Sequence, residues 1–186
     1  MENKEKIWTD TKLDEAISDL PLRIRKDIKS LPFPKIEEVV STYLFGKVGS
    51  GKTIYSVFLM LTELKNHFMT GKRTEALFIS VPELLFEFKQ SYDRKSEITE
   101  NTLVDKYSKI PLLVLDDFGV ERTTDWSFQL LYIIINRRYD NMKKTIFTSN
   151  LSLLQLAEKL QDDRIPSRIQ QMCKIIETSD KNYRSR

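Results

Sequence analysis

The stretch GKVGSGKT, residues 46–53, follows the apolar residues at 43–45 directly and decides the fold. It satisfies the pattern G-x-x-x-x-G-K-[ST], in which glycines let backbone N–H groups close around a polyphosphate. Lys52 is expected to neutralise the β and γ phosphates, and the Thr53 hydroxyl to ligate Mg²⁺ at the start of a helix. The predicted phosphate-binding residues are Gly46, Gly49, Ser50, Gly51, Lys52 and Thr53. An accidental glycine-rich turn is disfavoured, because an apolar strand precedes the motif and an amphipathic helix follows it.

Composition sets broad limits on the class of protein. The chain has 186 residues, of which 40% are hydrophobic, and this suits one domain with a core of ordinary size. The net charge of +3 decides little about partners. The single cysteine, Cys173, excludes an internal disulfide framework, fits a reducing cytoplasm, and is expected to be a core residue rather than a nucleophile. No apolar run reaches the ~18 residues that span a bilayer, and the single histidine, His67, lacks partners for a zinc site.

Strands and helices alternate along the rest of the chain. Strands are predicted at 41–45, 75–81, 112–117, 144–150 and near 173–178. Helices are predicted from Lys52 to a stop at Gly71, from Pro82 to Tyr92, at 127–141 and at 151–160. The charged stretch 93–109 and the basic segment 163–172 are interpreted as connections. This order predicts right-handed βαβ crossovers and an α/β fold in which helices cover both faces of a parallel sheet, giving three layers.

Polar residues at two strand ends supply the second half of a nucleotide site. Asp116, after the apolar run LLVL, can hold Mg²⁺ through water, and Asp117 can orient or deprotonate an attacking water. Adjacent carboxylates repel each other unless a cation is near, which argues against a merely solvated turn. Asn150, at the end of TIFTSN, could position the same water against the γ phosphate.

The order of GKVGSGKT, LLVLDDFG, TIFTSN, RIPSRI and NYRSR resembles the AAA+ ATPases of the DnaC and IstB type, which are helicase loaders and transposition helper ATPases. The resemblance covers about residues 40–186 and implies an AAA+ core at 41–186 behind a short N-terminal helical extension at 1–40. It also implies that the helical lid common to AAA+ proteins is lacking. By the same resemblance Asn150 corresponds to sensor 1, Arg168 to the arginine finger that reaches a neighbouring subunit's ATP, and Arg184 to the sensor 2 arginine. Arg164 is an additional basic residue of the same segment.

Two departures from the family pattern affect the expected activity. Lys47 and Val48 replace the paired prolines or similar residues common in the family, and Asp117 stands where most AAA+ enzymes have glutamate. A shorter carboxylate reaches less far, so slow or partner-dependent hydrolysis of ATP to ADP and phosphate is expected. The N-terminal 40 residues are short beside those of loaders with a separate helicase-binding domain, which leaves the mode of partner capture open.

The leading hypothesis is an ATP-dependent loader in a bacterial or phage-infected cytoplasm. ATP and Mg²⁺ would assemble it into an oligomer that grips single-stranded DNA and a replicative helicase, without a membrane. Within FEFKQSYDRK, the best candidates for DNA contacts are Lys89, Tyr92, Arg94 and Lys95, whereas Phe86 and Phe88 are expected to be packed. A solvated helix face is the competing interpretation of these cations.

Three other functions remain open at this stage. A transposition helper ATPase would share the ATP site but act on duplex DNA with a transposase. A small-molecule kinase would need an acceptor pocket and a mobile arginine-bearing lid, neither of which can be placed in the sequence. A nucleotide-dependent binding module would bind ATP tightly without releasing phosphate.

Overall fold

The computed structural model describes residues 12–92, 98–120, 122 and 124–178. In these ranges the chain forms, in order, α1 (Leu13–Ala16), α2 (Leu22–Ser30), β1 (Thr42–Phe45), α3 (Lys52–Met69), β2 (Ala76–Ser80), α4 (Val81–Gln90), α5 (Glu100–Lys109), β3 (Leu112–Asp116), α6 (Asp125–Asp140), β4 (Lys144–Ser149), α7 (Leu153–Leu160), α8 (Arg164–Met172) and β5 (Lys174–Glu177). The strands make one parallel sheet in the order β2-β3-β4-β1-β5. The predicted α/β class with a parallel sheet is therefore confirmed.

Alternating strand residues divide the core between the two faces of the sheet. Leu44 and Val114 face a cluster that includes α1, α2 and α3, whereas Tyr43 and Leu115 face a cluster built with α4 to α8. This alternation follows from the two-residue period of a strand. Both faces are covered, which explains the continuous apolar run LLVL in β3. The sheet is thus the middle of three layers, as predicted.

The strand register brings the functional segments to one edge of the sheet. Phe45, the last residue of β1, pairs with Ser149 of β4, and Leu115 of β3 pairs with Phe147. Because all five strands are parallel, the loop after β1, the carboxylates after β3 and the polar end of β4 meet at their carboxyl ends. This is the edge where ligands bind in open α/β sheets.

Two segments that were predicted to be connections each contain a helix. The charged stretch contains α5, whose first turn is capped by Thr99, which accepts a 3.2 Å hydrogen bond from the Thr102 backbone N–H. The basic segment contains α8, where Pro166 lies in the first turn, a position that tolerates proline. Each helix buries only a few apolar residues. The contacts of those residues with the core stabilise the helix even though most of its sequence is polar.

Smaller corrections concern element ends and one side chain. The second predicted strand stops at Ser80, whose side chain caps α4, so this helix starts at Val81. The stop at Gly71 is confirmed: Gly71 has a φ of 72° just past α3, and the Lys72 N–H bonds back to the His67 carbonyl at 2.9 Å. Phe88 is fully buried as expected, but Phe86 is 60% exposed, so the expectation that it packs in the core was wrong.

Candidate nucleotide site

The loop between β1 and α3 has backbone dihedral angles and a close contact that favour glycine at three positions. Gly46 has a φ of 143°, and a Cβ at this position would lie 2.5 Å from the Thr178 hydroxyl oxygen. Gly49 and Gly51 have φ values of 84° and 86°, in the left-handed region that L side chains rarely adopt. The predicted glycine pattern therefore has a stereochemical cause at each position.

The ammonium of Lys52 lies inside the curl of this loop. Lys52 is 7% exposed at the first position of α3. Its Nζ donates to the Gly46 carbonyl at 2.9 Å, to the Lys47 carbonyl at 2.8 Å and to the Ser50 hydroxyl at 3.4 Å. The positive charge is thus held where the backbone of the loop can surround a phosphate.

The acidic side of the site faces the same helix start. Asp116, at the end of β3, accepts a 3.3 Å hydrogen bond from the Thr53 hydroxyl. It accepts a second, at 2.6 Å, from the hydroxyl of Thr148 on β4. Burial raises the pKa of the Asp116 carboxyl above its ordinary value, and the charge of Asp117 adds to the rise, while the hydrogen bond from Thr148 opposes it. The structure thus places Thr53 beside Asp116, both of which are predicted Mg²⁺ ligands, and adds Thr148, which no sequence motif indicated.

These residues fit a Mg²⁺ ion. A hydroxyl and a carboxylate at hydrogen-bonding distance are the oxygen ligands that this ion prefers. Asp116 is 6% exposed, and a buried carboxylate is costly without a compensating charge. A cation between Thr53 and Asp116 would offset that cost.

Asp117 points into a different environment from its neighbour. Its backbone is left-handed, with a φ of 56°, and its side chain is exposed. The Asp117 N–H donates to the Thr148 hydroxyl at 3.0 Å, and the buried Phe118 N–H donates to the Thr148 carbonyl at 2.7 Å. Aspartate is one of the few residues that tolerate this conformation. The turn therefore holds an exposed carboxylate beside the buried one.

Asn150 follows the last residue of β4 and is exposed. The preceding residue, Ser149, accepts a 3.2 Å hydrogen bond at its carbonyl from the Gly46 N–H, and its hydroxyl donates to the Phe118 carbonyl at 2.7 Å. Ser149 thereby joins the phosphate loop to the turn that carries Asp117. Asn150 therefore directly follows the residue that joins these two segments.

Two of the predicted arginines, Arg168 and Arg164, make their described contacts with residues outside this cluster. Arg168 lies on α8, where its Nε donates to the Asn136 side-chain carbonyl at 3.0 Å and its guanidinium lies 4.6 Å from the ring centroid of Tyr139. Arg164 forms an ion pair with Asp162 at 2.8 Å. Arg184 lies outside the described residues. The contacts of Arg168 are thus with α6 of its own chain rather than with the phosphate loop.

Cys173 has the environment of a structural residue. It is partly buried, and burial raises the pKa of its thiol above the ordinary value. A raised pKa favours the thiol over the nucleophilic thiolate. This agrees with the expectation of a packing role.

A cluster of aromatic and cationic side chains joins the end of α4 to the start of α6. Tyr92 is 56% exposed and accepts a 2.9 Å hydrogen bond from the Trp126 indole N–H, and Lys89 Nζ lies 5.8 Å from the Trp126 ring centroid. The phenol of Tyr92 donates to Glu100 of α5. Arg94 and Lys95, the other two candidates for DNA contacts, lie outside the described residues.

Among the helices of the described residues, none combines the length and the apolar character needed to cross a bilayer.

A glycine-rich loop between a parallel strand and a helix, with an acidic strand end opposite its lysine, defines a P-loop NTPase. Residues 6–186 match the model of the family described as IstB-like ATP binding protein, and the chain belongs to that family. The resemblance inferred from the motifs is thereby confirmed.

Two curated relatives illustrate the range of the family. The chain is similar to the replicative helicase loader DnaI of Bacillus subtilis, with 32% identity over 59% of this chain and 33% of the relative. It is also similar to the putative ATP-binding protein of insertion sequence IS232 of Bacillus thuringiensis, with 27% identity over 77% of this chain and 52% of the relative. The chain therefore spans about half or less of the length of these two proteins.

Solved structures support the same fold. A crystal structure of the DnaC helicase loader is 29% identical, with a TM-score of 0.62, covering 85% of this chain and 87% of the other. A crystal structure of DnaI is 27% identical, with a TM-score of 0.61, covering 92% and 93%. The protein has the AAA+ P-loop NTPase fold and belongs to a family described as ATP-binding.

Proposed function

We propose that this protein is an ATP-dependent helicase loader of the bacterial cytoplasm. ATP binding assembles copies of the chain on single-stranded DNA together with a replicative helicase, and hydrolysis releases them. The observation that carries the proposal is that Lys52, Thr53 and Asp116 lie together at one edge of the sheet. The Thr53 hydroxyl oxygen is 3.3 Å from a carboxylate oxygen of Asp116. The loader relatives supply the class of partner.

The side chains divide the work of hydrolysis. Lys52 and the loop N–H groups bind the phosphates, and exposed Asp117 accepts a proton from the attacking water, which Asn150 orients. When bound by Thr53 and Asp116, Mg²⁺ supplies positive charge to the phosphate oxygens. Because the aspartate side chain is shorter than that of glutamate, its carboxylate lies farther from the attacking water. Turnover is therefore slow until a partner or assembly brings the two closer.

Arg168 acts in a neighbouring copy. The resemblance of RIPSRI to the arginine-finger segment of the family supports this role, and the described contacts of Arg168, with Asn136 and Tyr139, are not with its own phosphate loop. Arginine fingers contribute roughly 10³ to 10⁵ in rate where they have been isolated. Arg168→Ala is therefore expected to retain ATP binding and lose ATPase activity, and Arg184 is proposed to contact the phosphates from the segment after β5.

Single-stranded DNA is proposed to bind the cluster of Lys89, Tyr92 and Trp126. Two aromatic rings beside an exposed cation suit bases that stack while the phosphates are neutralised. The exposed Phe86, on the same helix as Lys89, extends the apolar part of this surface.

The test combines DNA binding with helicase capture. Single-strand affinity is measured at several salt concentrations for the unmodified chain and for the variant with Lys89→Glu, Arg94→Glu and Lys95→Glu. Loss of three phosphate contacts is expected to reduce the salt slope by about 2, since each single-strand contact contributes about 0.7. Lys26→Glu on α2, which is exposed and belongs to the layer on the opposite face of the sheet, is the control for charge alone. An unchanged slope in the triple variant, or no capture of a replicative helicase with ATP present, would contradict the proposal.

A transposition helper ATPase is the second candidate. It is favoured by the description of the family and by the insertion-sequence relative. Such a protein would bind duplex DNA more tightly than single strands and would capture a transposase instead of a helicase. The same binding titrations, repeated with duplex DNA, separate the two functions.

A further inference from the structure

Thr178, one residue past the edge strand β5, contacts both the end of β1 and the phosphate loop. Its backbone N–H donates to the Phe45 carbonyl at 2.8 Å, and its hydroxyl donates to the same carbonyl at 3.0 Å. The hydroxyl oxygen also lies 2.6 Å from the Ser50 hydroxyl oxygen. It is the same oxygen that a Cβ on Gly46 would meet at 2.5 Å. The loop is therefore packed directly on this threonine.

One arrangement of protons satisfies all the hydrogen bonds through Thr178 at once. Lys52 can only donate, and it donates to the Ser50 hydroxyl at 3.4 Å. The Phe45 carbonyl can only accept, so the single proton of the Thr178 hydroxyl is used there. In that arrangement Ser50 donates its own proton to Thr178. The result is a chain from the ammonium through two hydroxyls to the last carbonyl of β1, and such chains strengthen each member by polarisation.

We propose that Thr178 is a positioning residue for nucleotide binding. Its hydroxyl fixes the Ser50 side chain, and through Ser50 it holds the loop and the Lys52 ammonium in the form that receives a triphosphate. This inference rests on the proposed function, because it assumes that the loop binds ATP. It also connects the loop to the end of β5, just ahead of the segment that carries Arg184.

The test compares two substitutions that differ in the hydroxyl. Thr178→Val keeps the shape of the side chain but removes the acceptor for Ser50, and it is expected to weaken binding of ATP with Mg²⁺ by about five- to tenfold. Thr178→Ser retains the hydroxyl and is expected to restore affinity to within about twofold. Thr70→Val is the control, because the Thr70 hydroxyl bonds only to Asn66 and His67 carbonyls among its described contacts, at the far end of α3. Affinities are measured by calorimetry, and thermal unfolding is followed on the same samples.

A double-mutant cycle shows whether Thr178 acts through Ser50. Adding Thr178→Val to Ser50→Ala is expected to cost little further affinity, because the partner hydroxyl is already gone. Equal affinity of Thr178→Val and the unmodified chain would overturn the inference, and so would equal losses in Thr178→Val and Thr178→Ser. If the unmodified chain itself binds no ATP, the proposed function fails instead, so the two failures are distinguishable.

Discussion

Asp116 and Asp117 are adjacent in sequence, yet the structure gives them different chemistry. Asp116 is 6% exposed and accepts hydrogen bonds from Thr53 and Thr148, whereas Asp117 is exposed in a left-handed turn. A buried carboxylate suits a site for a cation, and an exposed one can exchange protons with water. The roles differ because β3 ends at Asp116, which is still buried in the sheet, whereas Asp117 is the first residue of the turn.

Asp116 is expected to lower the stability of the nucleotide-free protein at neutral pH. Because burial raises its pKa in the folded state, the folded protein binds more protons than the unfolded chain over the pH range between the two pKa values, and stability falls as pH rises through it. Asp116→Asn should therefore raise the thermal midpoint at pH 7.5 while abolishing Mg²⁺-dependent ATPase activity. The difference in midpoint should shrink as pH falls through the raised pKa. A lower midpoint for Asp116→Asn at pH 7.5 would contradict this account.

Asp117→Asn tests the proposed base without disturbing the backbone. Asparagine tolerates the left-handed region as well as aspartate does, so the turn at φ 56° should persist. The ATPase rate should fall by roughly 10² to 10⁴, with nucleotide affinity nearly unchanged, since general base catalysis contributes that range. Single-turnover hydrolysis measures the rate. Asp125→Asn, at the exposed start of α6, is the control for charge; a similar loss there would argue against a specific role for Asp117.

At the scale of single residues, the sequence predicts the parts that belong to one contiguous motif. Gly46, Lys52 and Thr53 could be assigned because their spacing reflects the curl of one loop. Thr148 and Thr178 could not, since each reaches the site from a different strand, and threonine is common in strands. Only the packing of the strands side by side brings Thr148 to Asp116 and Thr178 to Ser50.

At the scale of elements, periodic apolar residues allowed the strands and the longest helices to be predicted. The helix α5 was not predicted because its sequence, ENTLVDKYSK, is mostly polar. Its buried apolar side chains are those of Leu103, Val104 and Tyr107. A tertiary hydrogen bond also holds α5 in place, because the Tyr107 phenol donates to Glu87 of α4 at 2.6 Å. Such contacts lie far apart in sequence, so local pattern does not reveal them.

Arg138 is the side chain that ties three of these elements together. It is fully buried in α6, and its guanidinium donates to the carbonyls of Tyr107 and Ile110 at 2.8 and 2.9 Å, at and just past the end of α5. It also reaches the start of β4, donating to the Lys144 carbonyl at 2.5 Å and to the Thr145 hydroxyl at 2.9 Å. Burial lowers the pKa of Arg138 to about 9, which leaves it protonated at neutral pH.

Arg138→Met should destabilise the fold strongly, because it leaves buried carbonyls without donors. We expect the free energy of unfolding to fall by about 3 kcal/mol, from the cost of unsatisfied buried polar groups. Arg137→Met is the matched control: Arg137 pairs with Asp105 at 3.0 Å on the surface, and exposed pairs contribute under about 1 kcal/mol. Urea denaturation measures both, and equal losses would show that Arg138 has no special role.

At the scale of the whole molecule, the fold separates the phosphate loop from Arg168. The loop lies at the carboxyl edge of the sheet, whereas the described contacts of Arg168 are made with Asn136 and Tyr139 of α6. The fold class was predictable from the alternation of strands and helices. The position of Arg168 relative to a second copy is a prediction from the family resemblance, and it concerns an assembly rather than one chain.

Cleavage of ATP at an interface to which a second copy contributes Arg168 can be tested by mixing two variants that are each nearly inactive alone. Asp117→Asn loses the proposed base but keeps ATP binding and Arg168, and Arg168→Ala keeps the loop and the base but loses the guanidinium. Equimolar mixing should restore ATPase activity to about a quarter of the unmodified rate, because random assembly in a head-to-tail ring places both intact groups at about one interface in four. If the mixture is no more active than the two variants measured separately, Arg168 does not act between subunits and the account is contradicted.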